Sequence, residues 1–137
     1  MNVHEYIRQL ENVCGDGGDS CDAGCSRTNL PKMMALARKK FPGKPICVVS
    51  GWKWLVVNDL NGDGKAPEED SVFSMVYGDV VEHDDACRGF RSVRSSPLVD
   101  FQDNCLFCTA NTIYLLVGTG KKSFVSWDVI SSIYFSD

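Results

Sequence analysis

The sequence predicts an α+β protein in which two N-terminal helices pack on a strongly bent antiparallel β-sheet or partial small β-barrel. Two textures and one length carry that expectation. Residues 1–44 hold two amphipathic stretches at helical spacing, whereas residues 45–137 are β-branched and aromatic runs separated by turn residues. Strands that follow helices, instead of alternating with them, indicate α+β layering. At 137 residues the chain has the ordinary size of a single domain, spanning 1–137, which can bury a core without disulfides or a structural metal. No internal repeat, heptad pattern or low-complexity linker divides it.

Asn2 followed by Glu5 has the form of a capping box, and Val3, Ile7 and Leu10, with Tyr6 alongside, share one face, which predicts a helix over 2–13. Gly15 to Asp19, flanked by Cys14, Cys21 and Cys25, has no apolar period and too many glycines for an element interior, so it reads as a loop. Asn29 is placed to cap a second helix with Pro31 in its first turn. Its apolar stripe is Met33, Leu36, Ala37 and Phe41, with Lys32, Arg38 and Lys39 toward water, and Pro42-Gly43 stops it. Strands are expected near 46–50, 52–58, 71–77, 79–83, 89–93, 98–101, 105–109, 112–117 and 123–126, some merging into longer bent strands. The tail from Val125 to Phe135 reads as a strand, one helical turn and a final short strand.

A composition 44% hydrophobic and 23% charged is that of a globular protein, and no apolar run nears the roughly 20 residues that span a bilayer. Met1 to Leu10 lacks the uninterrupted apolar stretch of a secretory signal, so a cytoplasmic location is expected. Seven cysteines are many and odd in number. Cys47 and Cys105 lie in apolar runs and read as buried thiols of a reduced protein. The net charge of −4 is too mild for a polyanion mimic, and the chain is not basic enough to announce nucleic-acid binding.

The sharpest chemical pattern is Asp59-Leu60-Asn61-Gly62-Asp63-Gly64 followed by Asp70, which offers calcium-loop oxygens at positions 1, 3, 5 and 12 with the required glycine at 6. Strand-like runs flank it where helices are needed, and position 12 is Asp instead of Glu, so a polar hairpin connection competes with calcium as its explanation. Zinc is a weaker candidate, resting on Cys14, Cys21, Cys25, Cys105, Cys108, His4 and His83. On one strand Cys105 and Cys108 would point to opposite sheet faces, and the remaining cysteines fall short of four converging ligands. His83 with Cys87 is the one local base–thiol pair, set in an acidic turn that favours solvent exposure over catalysis. Gly118 to Lys122 lacks phosphate-loop spacing and reads as a hairpin turn. Arg88, Arg91 and Arg94 with Phe90, or Lys121 and Lys122, form the basic strips that nucleic acid would need, and such strips are more often a solvated strand face.

Arg94-Ser95-Ser96, Cys105-Leu106-Phe107, Thr109, Asn111-Thr112-Ile113-Tyr114-Leu115-Leu116, Gly118 and Gly120 together resemble a family of small uncharacterised bacterial proteins of the pseudomonad type. The resemblance covers residues 94–120. It implies a bacterial or phage setting and assigns no activity and no functional residue.

With no catalytic constellation in view, the leading expectation is a non-enzymatic protein-binding module that occupies a partner's surface. Examples are an inhibitor of a bacterial defence system, anti-CRISPR-like, or an immunity protein. Trp52, Trp54, Trp127, Tyr77, Tyr114 and Tyr134 are the candidate anchors if they are exposed beside the acidic loops. The alternative is a metal- or nucleic-acid-binding regulatory domain using Asp59, Asn61, Asp63 and Asp70 or the strip around Arg91.

Overall fold

The computed structural model describes residues 2–15, 17–57, 73–83 and 92–134. Among them the elements follow as α1 (Val3–Cys14), β1 (Asp19–Cys21), α2 (Leu30–Lys40), β2 (Ile46–Val57), β3 (Phe73–His83), β4 (Ser92–Arg94), β5 (Leu98–Gln102), β6 (Leu106–Thr109), β7 (Ile113–Leu116), β8 (Gly120–Val125) and α3 (Trp127–Tyr134). The strands form one strongly curled half-barrel sheet with helices packed on it, the α+β architecture that the sequence predicts, although the sheet is mixed and not antiparallel throughout, because β7 and β8 run parallel to β2.

In α1 the Glu5 N–H donates to Asn2 Oδ1 at 2.8 Å, while the Glu5 carboxylate turns to Arg8 and Gln9 instead of closing the capping box. The packed stripe is Tyr6, Leu10 and Val13. Val3 and Ile7 are 71% and 47% exposed, because Ile7 is rotated about 100° from Tyr6 and Val3 precedes the first packed turn. At α2, Asn29 occupies the cap position without a side-chain capping bond, and the Ser26 hydroxyl accepts the Asn29 N–H instead.

β2 organises the sheet. The two strands expected at 46–50 and 52–58 are one, interrupted at Gly51, whose φ of 56° is left-handed. One edge of β2 carries β3, antiparallel. The other edge carries β7 beside Ile46–Val49 and then β8 beside Lys53–Val57, both parallel to β2. The segment from Gly118 to Lys122 is therefore not a hairpin turn. Twelve residues of β2 give room for two short strands end to end, and Gly118 at φ 75° marks the break between them.

The irregularity at Gly51 shifts the alternation by one residue. Ile46 and Val48 pack toward α2 with Ala37, Ile113 and Leu115. Past the bulge, Leu55 and Val57 pack toward α1 and α3 with Val13, Val125, Val129 and Ile130. Cys47, Val49, Trp52 and Trp54 point the other way, into a cluster with Phe107, Tyr114 and Leu116. Val93 of β4 and Leu98 and Phe101 of β5 reach that same cluster from opposite ends of the sheet, so the sheet curls around it. The helices lie on the convex side.

Two further elements differ from expectation. The Cys-rich loop contains β1, which pairs antiparallel with β8 from Asp19↔Lys122 to Cys21↔Gly120. Three residues cannot show an apolar period, and the partner strand supplies what the local sequence lacks. The tail continues after β8 as α3 through Tyr134, where a final strand was expected. Val129 and Ile130 are fully buried against Leu55 and Val57, and the Gln9 side chain accepts the N–H of Ser126 just ahead of the helix at 2.8 Å. A run with these apolar positions satisfies either period, and the surface offered by α1 selects the helix.

Candidate functional site

The concave side of the half-barrel is built from residues whose parity along the strands is set by pairing. Trp54 stands opposite Lys122, and Val56 opposite Phe124, so all four side chains share the concave face at its β8 end. Trp54 is half-buried between Phe101 and Phe107, with edge-to-face ring centroids at 4.7 and 5.0 Å. The Lys122 ammonium stands 5.5 Å from the Trp54 ring centroid, a cation–π distance. The Trp54 indole N–H is buried and has no acceptor among the described residues. Phe124 is 59% exposed, although it neighbours Val56 and Trp54 across the ladder.

At the junction of β7 and β8, Trp52 fills the fork. It is fully buried, and its indole N–H donates to Gly118 O at 3.2 Å. A Cβ on Gly120 would lie 2.2 Å from Trp52 Cδ2, so only glycine lets β8 pass so close to the ring. Over the fork lies a surface pocket of about 280 Å³ lined by residues 21–26 with Gly118 and Thr119.

Cys21 and Cys25 face this pocket. The five cysteines whose side chains are described, Cys21, Cys25, Cys47, Cys105 and Cys108, carry free thiols. Cys47 and Cys105 are buried, as their apolar runs indicate. Cys105 and Cys108 do not take opposite faces. Both pack in the cluster under α2, because Cys105 ends a tight turn formed by Asp103 and Asn104, at φ 52° and 57°, before strand alternation begins. Cys25 packs against that cluster as well, alongside Cys105. Burial raises both thiols above the usual range, Cys105 to about 12, with Cys25 and Asp103 adding to the effect. Among the described residues no group of three or more His, Cys, Asp or Glu converges on a metal position.

Asp59, Asn61, Asp63 and Asp70 lie outside the described residues, as do Cys87, Arg88, Phe90, Arg91 and the side chains of Cys14 and His83. Arg94 is exposed on β4. Lys121 and Lys122 are split between the two faces of β8, opposite Lys53 and Trp54 respectively, and do not make one basic strip. Of the proposed aromatic anchors, Trp52 and Tyr114 are buried, Trp54, Trp127 and Tyr77 are half-buried, and the Tyr134 side chain lies outside those described. Among the described residues the exposed aromatic is Phe124, which the sequence does not single out. Its signal was its place in the alternation Ser123-Phe124-Val125, where an outward aromatic separates two inward residues.

Among the described residues no helix is long and apolar enough to cross a membrane. The model of a family described as a domain of unknown function, DUF6957, matches residues 22–132, most of the chain and not its C-terminal third alone. No curated protein matches the chain, and no solved structure does.

Proposed function

This chain belongs to the DUF6957 family, and we propose that it is a non-enzymatic protein-binding module that acts by covering a surface of its partner. The observation that supports this reading is the group of Phe124, Trp54 and Lys122 on a sheet face to which none of the three helices packs. An exposed Phe alone is ordinary, but an exposed Phe adjoining a half-buried Trp that carries a cation has the composition of an interface anchor. The chemistry it fits is an apolar side chain set beside a carboxylate: the ring of Phe124 supplies the apolar contact and Lys122 the charge. The bacterial or phage setting implied by residues 94–120 suits an inhibitor of a defence system or an immunity protein, both of which work by occlusion.

The test is a tagged pull-down from a pseudomonad lysate with wild type, Phe124→Asp and, as a control on the edge strand β5, Val99→Asp. Val99 is 70% exposed and makes none of the ring or cation contacts of the Trp54 group. The expected result is one protein captured stoichiometrically by wild type and Val99→Asp and lost with Phe124→Asp. Identical capture by all three proteins, or no specific capture, overturns the reading. Capture that depends on calcium and vanishes with chelator transfers the function to the Asp59–Asp70 segment and the alternative of a metal-binding regulatory domain.

A further inference from the structure

The N–H and C=O of one residue in an extended strand point to the same edge, so whatever bonds both groups occupies adjacent places on that edge. At Leu116 the N–H donates to Cys105 O and the C=O accepts from Cys25 N–H, each at 2.9 Å. Cys25 is thus the next occupant of the β7 edge after the chain that leads into β6. Three further bonds fix it there: Gly24 N–H to Asn104 O at 2.7 Å, Gly118 N–H to Cys25 O at 2.8 Å, and Asn104 Nδ2 to Asp22 O at 3.3 Å. The segment 22–25 and the turn before β6 are joined directly by the Gly24–Asn104 backbone bond and the Asn104 side chain, and through Leu116, which bonds the backbone of both cysteines; both side chains pack in the one cluster under α2.

We infer that Cys25 and Cys105 form a reversible redox modification site, in which a peroxide or a low-molecular-weight disulfide converts the two thiols into one disulfide that staples segment 22–25 to the start of β6. This inference does not rest on the interaction face around Phe124. Cys25 lines the surface pocket and is half-buried, whereas Cys105 is sealed beneath it, so Cys25 meets the oxidant and Cys105 resolves. With a peroxide, the small thiolate fraction that burial leaves to Cys25 attacks one peroxide oxygen, the O–O bond breaks, and a sulfenic acid and one water result. The Cys105 sulfur then attacks the Cys25 sulfur, the S–O bond breaks, and a second water leaves with the Cys105 proton. With oxidised glutathione, Cys25 first forms a mixed disulfide and releases one glutathione thiol, and attack by Cys105 releases the other. In each case two thiols lose two electrons in total and the oxidant gains them. The other described thiols are placed differently: Cys21 and Cys47 belong to the concave cluster, and the Cys108 thiol donates to Leu106 O at 3.6 Å.

The experiment uses the full chain, reduced and then exposed to excess oxidised glutathione, with remaining thiols alkylated in denaturant before digestion and mass spectrometry without reductant. The expected product is a Cys25–Cys105 linked peptide, lost on adding dithiothreitol, from a protein that melts at a higher temperature than the reduced form. Cys105→Ser is expected to stop at a Cys25 mixed disulfide with glutathione. Alkylation of both cysteines after oxidation, or linkage of Cys25 to Cys21 or another thiol in place of Cys105, overturns the assignment. The wild-type digest decides the matter even if Cys105→Ser misfolds.

Discussion

Trp52 shows how far one side chain sets its surroundings. Its ring occupies the space where β7 gives way to β8, and Gly24 and Gly120 let two backbone segments close over it while the Gly118 carbonyl takes its indole N–H. Gly120→Ala places a methyl within bonding range of the ring, and neither the buried indole nor β8 has room to yield. The expected cost is about 1–3 kcal/mol, the range for overpacking a filled core, measured as a lowered urea midpoint with unchanged slope. A midpoint equal to wild type means that the fork is looser than described. The Cys105 thiol carries a second prediction at this scale. Burial, reinforced by Cys25 and Asp103, raises it to about 12, so the folded state holds the proton more tightly than the unfolded chain. That contribution is intact below the ordinary thiol range and is lost as pH rises from about 9 to about 12. Under reducing conditions the wild type should lose more stability between pH 8 and pH 11 than Cys105→Ala. Parallel losses in the two proteins would rule the assignment out.

Among the elements, β2 explains both what could be read from the sequence and what could not. Its β-branched and aromatic composition announces strands on either side of Gly51, and their merger follows from the absence of any connecting loop. The change of parity at Gly51 is invisible in the sequence, because a bulge exists only relative to a partner strand. Strict alternation through Gly51 would send Lys53 to the concave side and Trp52 and Trp54 to the helix side, whereas the structure does the reverse and buries Lys53 against α1. Its ammonium accepts no substitute easily: it donates to Asn12 O at 3.2 Å and Gly17 O at 2.9 Å, joining the end of α1 to the approach to β1. The same limit hid β1 and α3, each selected by a surface contributed from far along the chain. Lys53→Met keeps the length and apolar stem but strips two carbonyls of their donor, at an expected cost of about 1–3 kcal/mol. Hydrogen exchange should show the change as faster turnover in the last turn of α1 and in β1. Unaltered exchange there would mean that the lysine does not hold the two elements together.

The whole molecule has two unequal sides, a convex side covered by helices and a concave side filled with aromatic rings, and the family match divides it differently. Residues 22–132 take in every strand but β1, with α2 and most of α3, and leave out α1. Position outside the matched region does not make α1 dispensable. Tyr6, Leu10 and Val13 cover Leu55, Val57, Val125, Val129 and Ile130, and Gln9 holds the N–H that precedes α3. Burying each large apolar side chain is worth about 1.5–3 kcal/mol, so removing the three together withdraws an amount comparable to the roughly 5–15 kcal/mol that keeps a domain folded. A chain starting at residue 22 should therefore melt well below the full chain or fail to give a cooperative transition, with α3 losing protection first because its packing partner is gone. The Trp54 and Phe124 group lies on the opposite face, so residual folded protein should still bind whatever the full chain captures. A truncated chain with the full melting temperature would show instead that the convex face closes without α1, and that the first helix serves something other than the fold.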